Sequence, residues 1–440
     1  LQADKGSSMI RRINPTDCLL IHTPDPPPHP GAVALGDLDG DGTDELIVGS
    51  SSGSITIFRF LVRKDFTVQS NDFLDLQLGA LVVINVGRFV LTTHLLTAVA
   101  VSVCGQAKLL GHDGSKLSTL ASVLVPMNST ASLVVPRGPT LGHVLILGTS
   151  EGNLHVVDFT DEAVKIPVVN VGMVITSLAL TQNGVSSVVV VGMINGDIAL
   201  HSWPYLERIG GVPQVGQCIV GCGNIMPHKY IISSIERGFL KVYETELETP
   251  RKLGEVLLAE QNDELLACEL LRVPPNLATA GATAPELTPV LAAVLHSGRT
   301  TFCSEMGGFC VFDPAELFTA PLRAFTAGTI GSALDSDGTS CSTSPVGLYL
   351  VYCLGNGEIL VFHSLAQQVG SLLGYKAEKE DFFGRFMVQQ PQTEENLAAI
   401  TSSLHEKTSS LPFKLQDSFA WVLSQSEKDI EKMEAEVSRH

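Results

Sequence analysis

Residues 46–58 read "LIVGSSSGSITIF": an apolar run, a turn containing Gly53, then a run alternating apolar with small polar residues. That order describes a β-hairpin, with glycine at the tip because the turn needs a positive φ. The same order returns as "VAVSVCGQAKLL" (99–110), "VLILGTSEGNLHVVDF" (144–159) and "VVVVGMINGDIALHSW" (188–203). It returns again as "YIISSIERGFLKVY" (230–243), "VLAAVLHSGRTTFC" (290–303) and "YLVYCLGNGEILVF" (349–362). The turn glycines are Gly53, Gly105, Gly152, Gly196, Gly238, Gly298 and Gly357, spaced 42–60 residues apart. A self-similar unit at that spacing is the signature of β-propeller blades.

One hairpin cannot bury both of its faces, whereas units stacked radially cover each other. Runs such as Val188 to Val191 are apolar at every position, as a strand held between two neighbouring sheets should be. Each hairpin follows a further short strand candidate: 32–35, 81–86, 132–135, 175–180, 217–220, 265–270 and 325–330. These are expected to line the central channel. The last unit has no room for a fourth strand of its own. The isolated run Cys18–His22 is expected to complete it and close the ring. The fold class read here is all-β, a seven-bladed β-propeller of four-stranded units with a C-terminal α-helical extension. Two smaller propellers, or a six-bladed ring with one hairpin misread, are the alternatives. The domain boundaries are an N-terminal extension over 1–17, the propeller over 18–367 and a helical tail over 368–440. Residues 274–289 and 332–345 read as long exposed loops.

The 440 residues are 45% hydrophobic and 17% charged, enough to bury a large core. The mean hydropathy of +0.26 raises the question of a membrane protein. Every apolar run, however, is cut by Gly, Ser or Asn well before the roughly 18 residues a span requires. A formal net charge of −18, with no Lys/Arg cluster, argues against nucleic acid as a partner. The nine cysteines are odd in number and scattered, several of them in apolar strands (Cys104, Cys303, Cys353). Cys218 and Cys222 lack a second pair for zinc. The chain begins Leu-Gln-Ala, without a charged-then-apolar leader. An intracellular, cytoplasmic, reducing setting is expected.

One stretch carries chemistry. Asp37-Leu38-Asp39-Gly40-Asp41-Gly42-Thr43-Asp44-Glu45 places carboxylates at positions 1, 3, 5 and 9, with glycine at position 6 for the turn. Calcium takes six to eight oxygen ligands, and this pattern predicts one Ca2+ held by Asp37, Asp39, Asp41, the Thr43 carbonyl and Glu45. Position 12 is Val48, not the glutamate of an EF-hand, and the loop lies between strands. The competing reading is an acidic turn whose aspartates accept backbone N–H groups. Asp335 and Asp337 begin a similar loop that lapses into Thr and Ser.

No catalytic pattern of the H-E-x-x-H, G-x-S-x-G or P-loop type occurs. His94, His112, His143 and His155 are dispersed and read as surface or hydrogen-bonded histidines. No enzyme activity and no further cofactor are expected. In the tail, Phe419, Trp421, Val422, Ile430, Met433 and Val437 fall largely at helical spacing among charged residues. They are read as a partner-binding stripe with Trp421 as its anchor.

The D-x-D-x-D-G loop, the following "ELIVG" and then G-x-I-x-I-F resemble an FG-GAP repeat, the blade unit of integrin α-chain propellers. The order of features is similar more specifically to the integrin-α FG-GAP repeat-containing family of the KICSTOR complex. The likeness is sharp in the first unit and weak through the others to about residue 365. The place of a second acidic loop reads "GPTLGHVLILG", without aspartates, so no calcium site is carried over there. The resemblance implies a non-catalytic intracellular scaffold that associates with other proteins, among them a second propeller, kaptin. Such a complex sits at the lysosome and restrains TOR signalling when nutrients are scarce. The other readings are a subunit of a ciliary, BBSome-like assembly and an extracellular, integrin-like, calcium-dependent adhesion module. The second of these needs several calcium loops and paired cysteines, which the sequence does not show.

Overall fold

The computed structural model describes the chain from residue 11 to residue 369 apart from short segments, the longest being 160–167, 274–287 and 331–346. All described residues belong to one compact unit, Leu1–Met387. The helical extension read over 368–440 lies outside them, save for Val369. So does Gly238 among the turn glycines. Among the described residues, no helix is long and apolar enough to cross a membrane.

The structure is an all-β propeller. Its described strands form antiparallel meanders, each running from the channel outwards. The first sheet is Val33–Gly36, Glu45–Gly49, Ser54–Val62 and Phe66–Asp75. The second is Leu81–Gly87, Thr97–Ser102, Gln106–His112 and Leu117–Leu124. The third runs from Ser129–Pro136 to Val169–Asn170, the fourth from Ile175–Asn183 to Arg208–Val212, and the fifth from Ile219–Met226 to Arg251–Leu257. The sixth begins at Leu265–Val273 and reaches Phe309–Phe312, and the last begins at Leu322–Ile330. The innermost strand of each sheet lies beside that of the next, and Leu322–Ile330 lies beside Val33–Gly36, so they make one ring.

The expectation of seven like four-stranded units needs correction. Six of the described sheets are four-stranded. The sheet beginning at Leu265 is five-stranded, because Arg11–Ile13 pairs in parallel with its outer strand, Arg11 opposite Cys310 and Ile13 opposite Phe312. This added strand comes from the stretch read as an N-terminal extension. The last sheet supplies only three strands of its own. Cys18–His22 pairs antiparallel with Glu358–Phe362, Cys18 opposite Phe362 and His22 opposite Glu358. Thr23 N–H adds a bond to the Gly357 carbonyl at 3.0 Å. One N-terminal segment thus edges two successive sheets.

Each gap between the sheets whose side chains are described is filled by its own apolar layer. Ile47, Ile57, Ile84 and Ala100 fill the first gap, and Val101, Leu109, Leu145 and Leu147 the second. The closing gap holds Ile21, Leu46, Phe58, Phe60, Val351 and Val361, with the Phe60 and Tyr349 rings stacked at 6.4 Å. Second strands are enclosed on both faces. Every residue of Glu45–Gly49 and of Thr97–Ser102 is buried, which is why these runs do not alternate. Burying each such Val or Ile contributes roughly 1.5–3 kcal/mol.

Two sequence readings change in detail. Cys353 is buried in a strand, its thiol pushed up to about 12 by burial, but Cys104 is exposed at a hairpin turn and not inside a strand. The loop read over 274–289 ends early, since Thr288 already begins the strand Thr288–Leu295.

Candidate metal centre in the first sheet

The acidic loop joins the first two strands of the first sheet, Val33–Gly36 and Glu45–Gly49. The pairing of Gly36 with Glu45 fixes its two ends opposite each other. Carboxylate oxygens of Asp37, Asp39, Asp41 and Glu45 then come within 4.8 Å of one another. Backbone N–H groups shape the cluster from inside the loop. Gly40 N–H donates to Asp37 Oδ1 at 2.7 Å, Asp41 N–H to Asp39 Oδ1 at 3.2 Å, and Thr43 N–H to Asp41 Oδ1 at 2.7 Å. Glu45 is buried, and its Oε2 accepts the Leu38 N–H at 2.7 Å.

Both sequence readings are therefore present in one geometry. The aspartates act as Asx-type turn acceptors, and four carboxylates also converge. Burial, reinforced by the neighbouring aspartates, pushes the Glu45 carboxyl up to about 8. Burial next to Asp37 lifts Asp44 to about 6. A hard-oxygen donor set packed this closely fits a calcium ion, whose charge offsets the mutual repulsion. Thr43, the fifth residue of the expected set, enters through its N–H bond to Asp41.

Sequence reading missed a cation at this site. Arg59, on the third strand of the same sheet, donates Nε to Asp39 Oδ2 at 3.1 Å and pairs through Nη1 with Asp72 on the fourth strand. Its Nη2 lies 3.3 Å from His112 Nε2 in the second sheet. Arg59 thus ties the acidic loop to the outer strand and to the neighbouring sheet. The available signal was a lone basic residue in the run "SITIFRFLV".

His143 and His201 make hydrogen bonds to the backbone. Arg88 N–H donates to His143 Nδ1 at 2.8 Å. His201, which the sequence reading did not single out, is buried, its Nδ1 2.9 Å from the Leu206 carbonyl. The expected partner-binding residues Phe419, Trp421, Val422, Ile430, Met433 and Val437 lie outside the described residues, as do His94, Asp335 and Asp337.

Residues 29–58 match the FG-GAP repeat family. That segment holds the whole acidic loop and the first hairpin. No curated protein matches the chain. Among solved structures, the chain is similar to BBS1N in complex with ARL6DN, at 14% identity and a TM-score of 0.56, covering 79% of this chain and 96% of that one. It is also similar to Chaetomium thermophilum Sqt1 bound to the N-terminus of the ribosomal protein L10, at 17% identity and a TM-score of 0.50, covering 73% of this chain and 81% of that one. At these identities the likeness is one of fold.

Proposed function

We propose that this chain is a non-catalytic interaction propeller, a subunit of a multiprotein intracellular complex of the KICSTOR-like, TOR-regulating kind. The observation that carries the reading is how the inner strands use their polar side chains. Asn85 Nδ2 donates to Ser132 Oγ at 2.7 Å across the second and third sheets. Thr130 Oγ1 donates to the Ile175 carbonyl across the third and fourth. Glu269 Oε2 accepts the Ala327 N–H at 2.7 Å across the sixth sheet and the last. These groups hold neighbouring strands together instead of converging on a substrate position, which suits a platform. Both similar structures contain a protein partner, ARL6DN in one and the L10 N-terminus in the other, which supports the same use of the fold here. The resemblance of the first unit favours a partner that is itself a propeller, kaptin-like, in a lysosome-associated complex. The likeness to BBS1N favours a second reading, a structural subunit of a ciliary assembly.

Affinity purification of the chain at native expression tests the proposal. A stoichiometric set of co-purifying proteins is expected, and its members separate the two readings. A chain that elutes alone and monodisperse, with no stable partner, would sink both.

The acidic loop is proposed to hold one Ca2+ through Asp37, Asp39, Asp41, Glu45 and the Thr43 carbonyl. The ion would offset the carboxylate charge and brace the first sheet. Binding at a hundredfold excess over Kd should stabilise the fold by about 2.7 kcal/mol. The melting temperature in excess Ca2+ is therefore expected to exceed that in chelator, with the difference abolished by Asp37→Asn combined with Asp41→Asn. An unchanged melting temperature at millimolar Ca2+ would leave the loop as a hydrogen-bonded acidic turn.

A further inference from the structure

The turns between second and third strands share one end of the ring with the connectors that lead from each outer strand to the next sheet. The acidic loop, between first and second strands, lies at the opposite end. At the turn end, the second to fourth sheets carry a run of exposed apolar side chains: Val103, Leu124, Met127, Met173 and Ile194. Leu124 is 85% and Met127 64% exposed. These residues are spatial neighbours, linked turn to connector. Asn128 N–H reaches the Val103 carbonyl, and Ser150 N–H donates to the Asn128 carbonyl at 3.1 Å. Met173 backbone packs against Gly152 in the next turn, and Ile194 N–H donates to the Val174 carbonyl at 3.0 Å. The band therefore spans three sheets joined connector to turn by backbone contacts, with the polar turn at Ser150 and Glu151 between Met127 and Met173, unlike isolated surface hydrophobes, which carry no such meaning.

Within the turns and connectors that make the band the charges have one sign, and the nearby Lys108, opposite Ser122, has its Nζ bonded to the Leu76 carbonyl. Over residues 102–106, 124–130, 149–153, 171–175 and 193–197, the charged residues are Glu151 and Asp197, and none is basic. Both stand on hairpin turns within the band. Unbranched, polarizable methionines beside Leu and Ile adapt to an apolar helix face, and the flanking carboxylates attract cations.

We propose that this band is a docking surface for a cationic amphipathic segment of a partner protein, its apolar face on Leu124, Met127, Met173 and Ile194 and its Lys/Arg flank toward Glu151 and Asp197. The proposal rests on the interaction-propeller reading and specifies which end of the ring, and which partner chemistry, that reading involves.

The test uses the purified full chain and three synthetic helical peptides that share one set of leucine positions and carry lysine, glutamine or glutamate on the opposite face. Binding is followed by fluorescence anisotropy. The lysine peptide should bind, weaken steeply with salt, and outrank the glutamine and glutamate peptides in that order. Leu124→Asn with Met127→Asn should weaken it roughly tenfold or more, about one decade in Kd. Glu151→Lys should weaken it and flatten the salt dependence. These side chains are exposed, so the variants should keep the parent melting temperature. Tyr205→Ser, elsewhere on the surface, serves as the control and should bind as the parent does. Equal binding by the double variant, or a preference for the glutamate peptide, overturns the proposal. So does a dimer in sedimentation that the double variant converts to monomer, since the occupant would then be a second copy. If the natively purified complex survives the double variant unchanged, this surface is wrong while the interaction-propeller reading stands. If no complex exists at all, that reading fails first.

Discussion

Gly53→Ala should lower the denaturant midpoint far more than Gly172→Ala, although both glycines have left-handed backbones, at φ +87° and +85°. At Gly172 a methyl group would meet nothing within 4 Å, so alanine there should cost only the backbone strain, about 1 kcal/mol or slightly more. At Gly53 a Cβ would stand 1.8 Å from the Leu78 carbonyl oxygen, a backbone atom that cannot swing aside. The turn would have to lift from the connector that leads to the second sheet. That connector is held by the Leu81 N–H bond to the Ser50 carbonyl at 3.1 Å, which sits at the same turn. The expected loss at Gly53 is roughly 3 kcal/mol or more, in the range reserved for strain and core defects. Urea unfolding of the two variants side by side checks it. Equal losses would mean that only backbone conformation, not the contact with the connector, demands glycine. Gly105 and Gly152 meet the following connector in the same way, against the Val125 carbonyl and the Met173 backbone.

Removing the closing strand should have the largest effect of all. A chain truncated through Thr23 loses the five-residue pairing with Glu358–Phe362 and the side chain of Ile21 from the closing apolar layer. It leaves an open strand edge, a template for pairing with other chains. Truncation through residue 16 removes only Arg11–Ile13 from the five-stranded sheet and keeps the closure. The longer truncation should aggregate or melt roughly 10 °C or more below the parent, and the shorter one only a few degrees below. Ile21→Asp, which keeps the backbone pairing but places a charge in the closing layer, should fall between the two. The idea fails if the longer truncation remains monomeric with the parent melting temperature. The closing strand would then add little to the ring.

Much of this architecture could be read from the chain because its signals are local. A glycine between an apolar and an alternating run marks a hairpin wherever it occurs, and positive φ is found at Gly53, Gly105, Gly152, Gly196, Gly298 and Gly357. The inner strands were legible as short apolar runs before each hairpin, although their ends extend beyond the sequence bounds, as in Ser129–Pro136 against 132–135. Even the pairing of Cys18–His22 with the last hairpin had a local clue, a strand without a partner at one end and a sheet lacking a strand at the other. Arg11–Ile13 gave no such clue, since three residues carry too little periodicity to mark a strand.

The metal centre divides in the same way. Asp37, Asp39, Asp41 and Glu45 are spaced along one loop, so the chain order alone brings them near each other. Arg59, Asp72 and His112 join that loop only through sheet pairing and the packing of one sheet on the next, across 13 to 53 residues of separation. Local order along the chain thus settles strands, turns and the acidic loop, because hairpin geometry and carboxylate spacing act over a few residues. Which sheet gains a fifth strand, why Gly53, Gly105 and Gly152 tolerate no Cβ, and which end of the ring gathers Val103, Met127, Met173 and Ile194 follow only from the closed ring. There, residues distant in sequence meet at van der Waals distance, and no local pattern encodes that meeting.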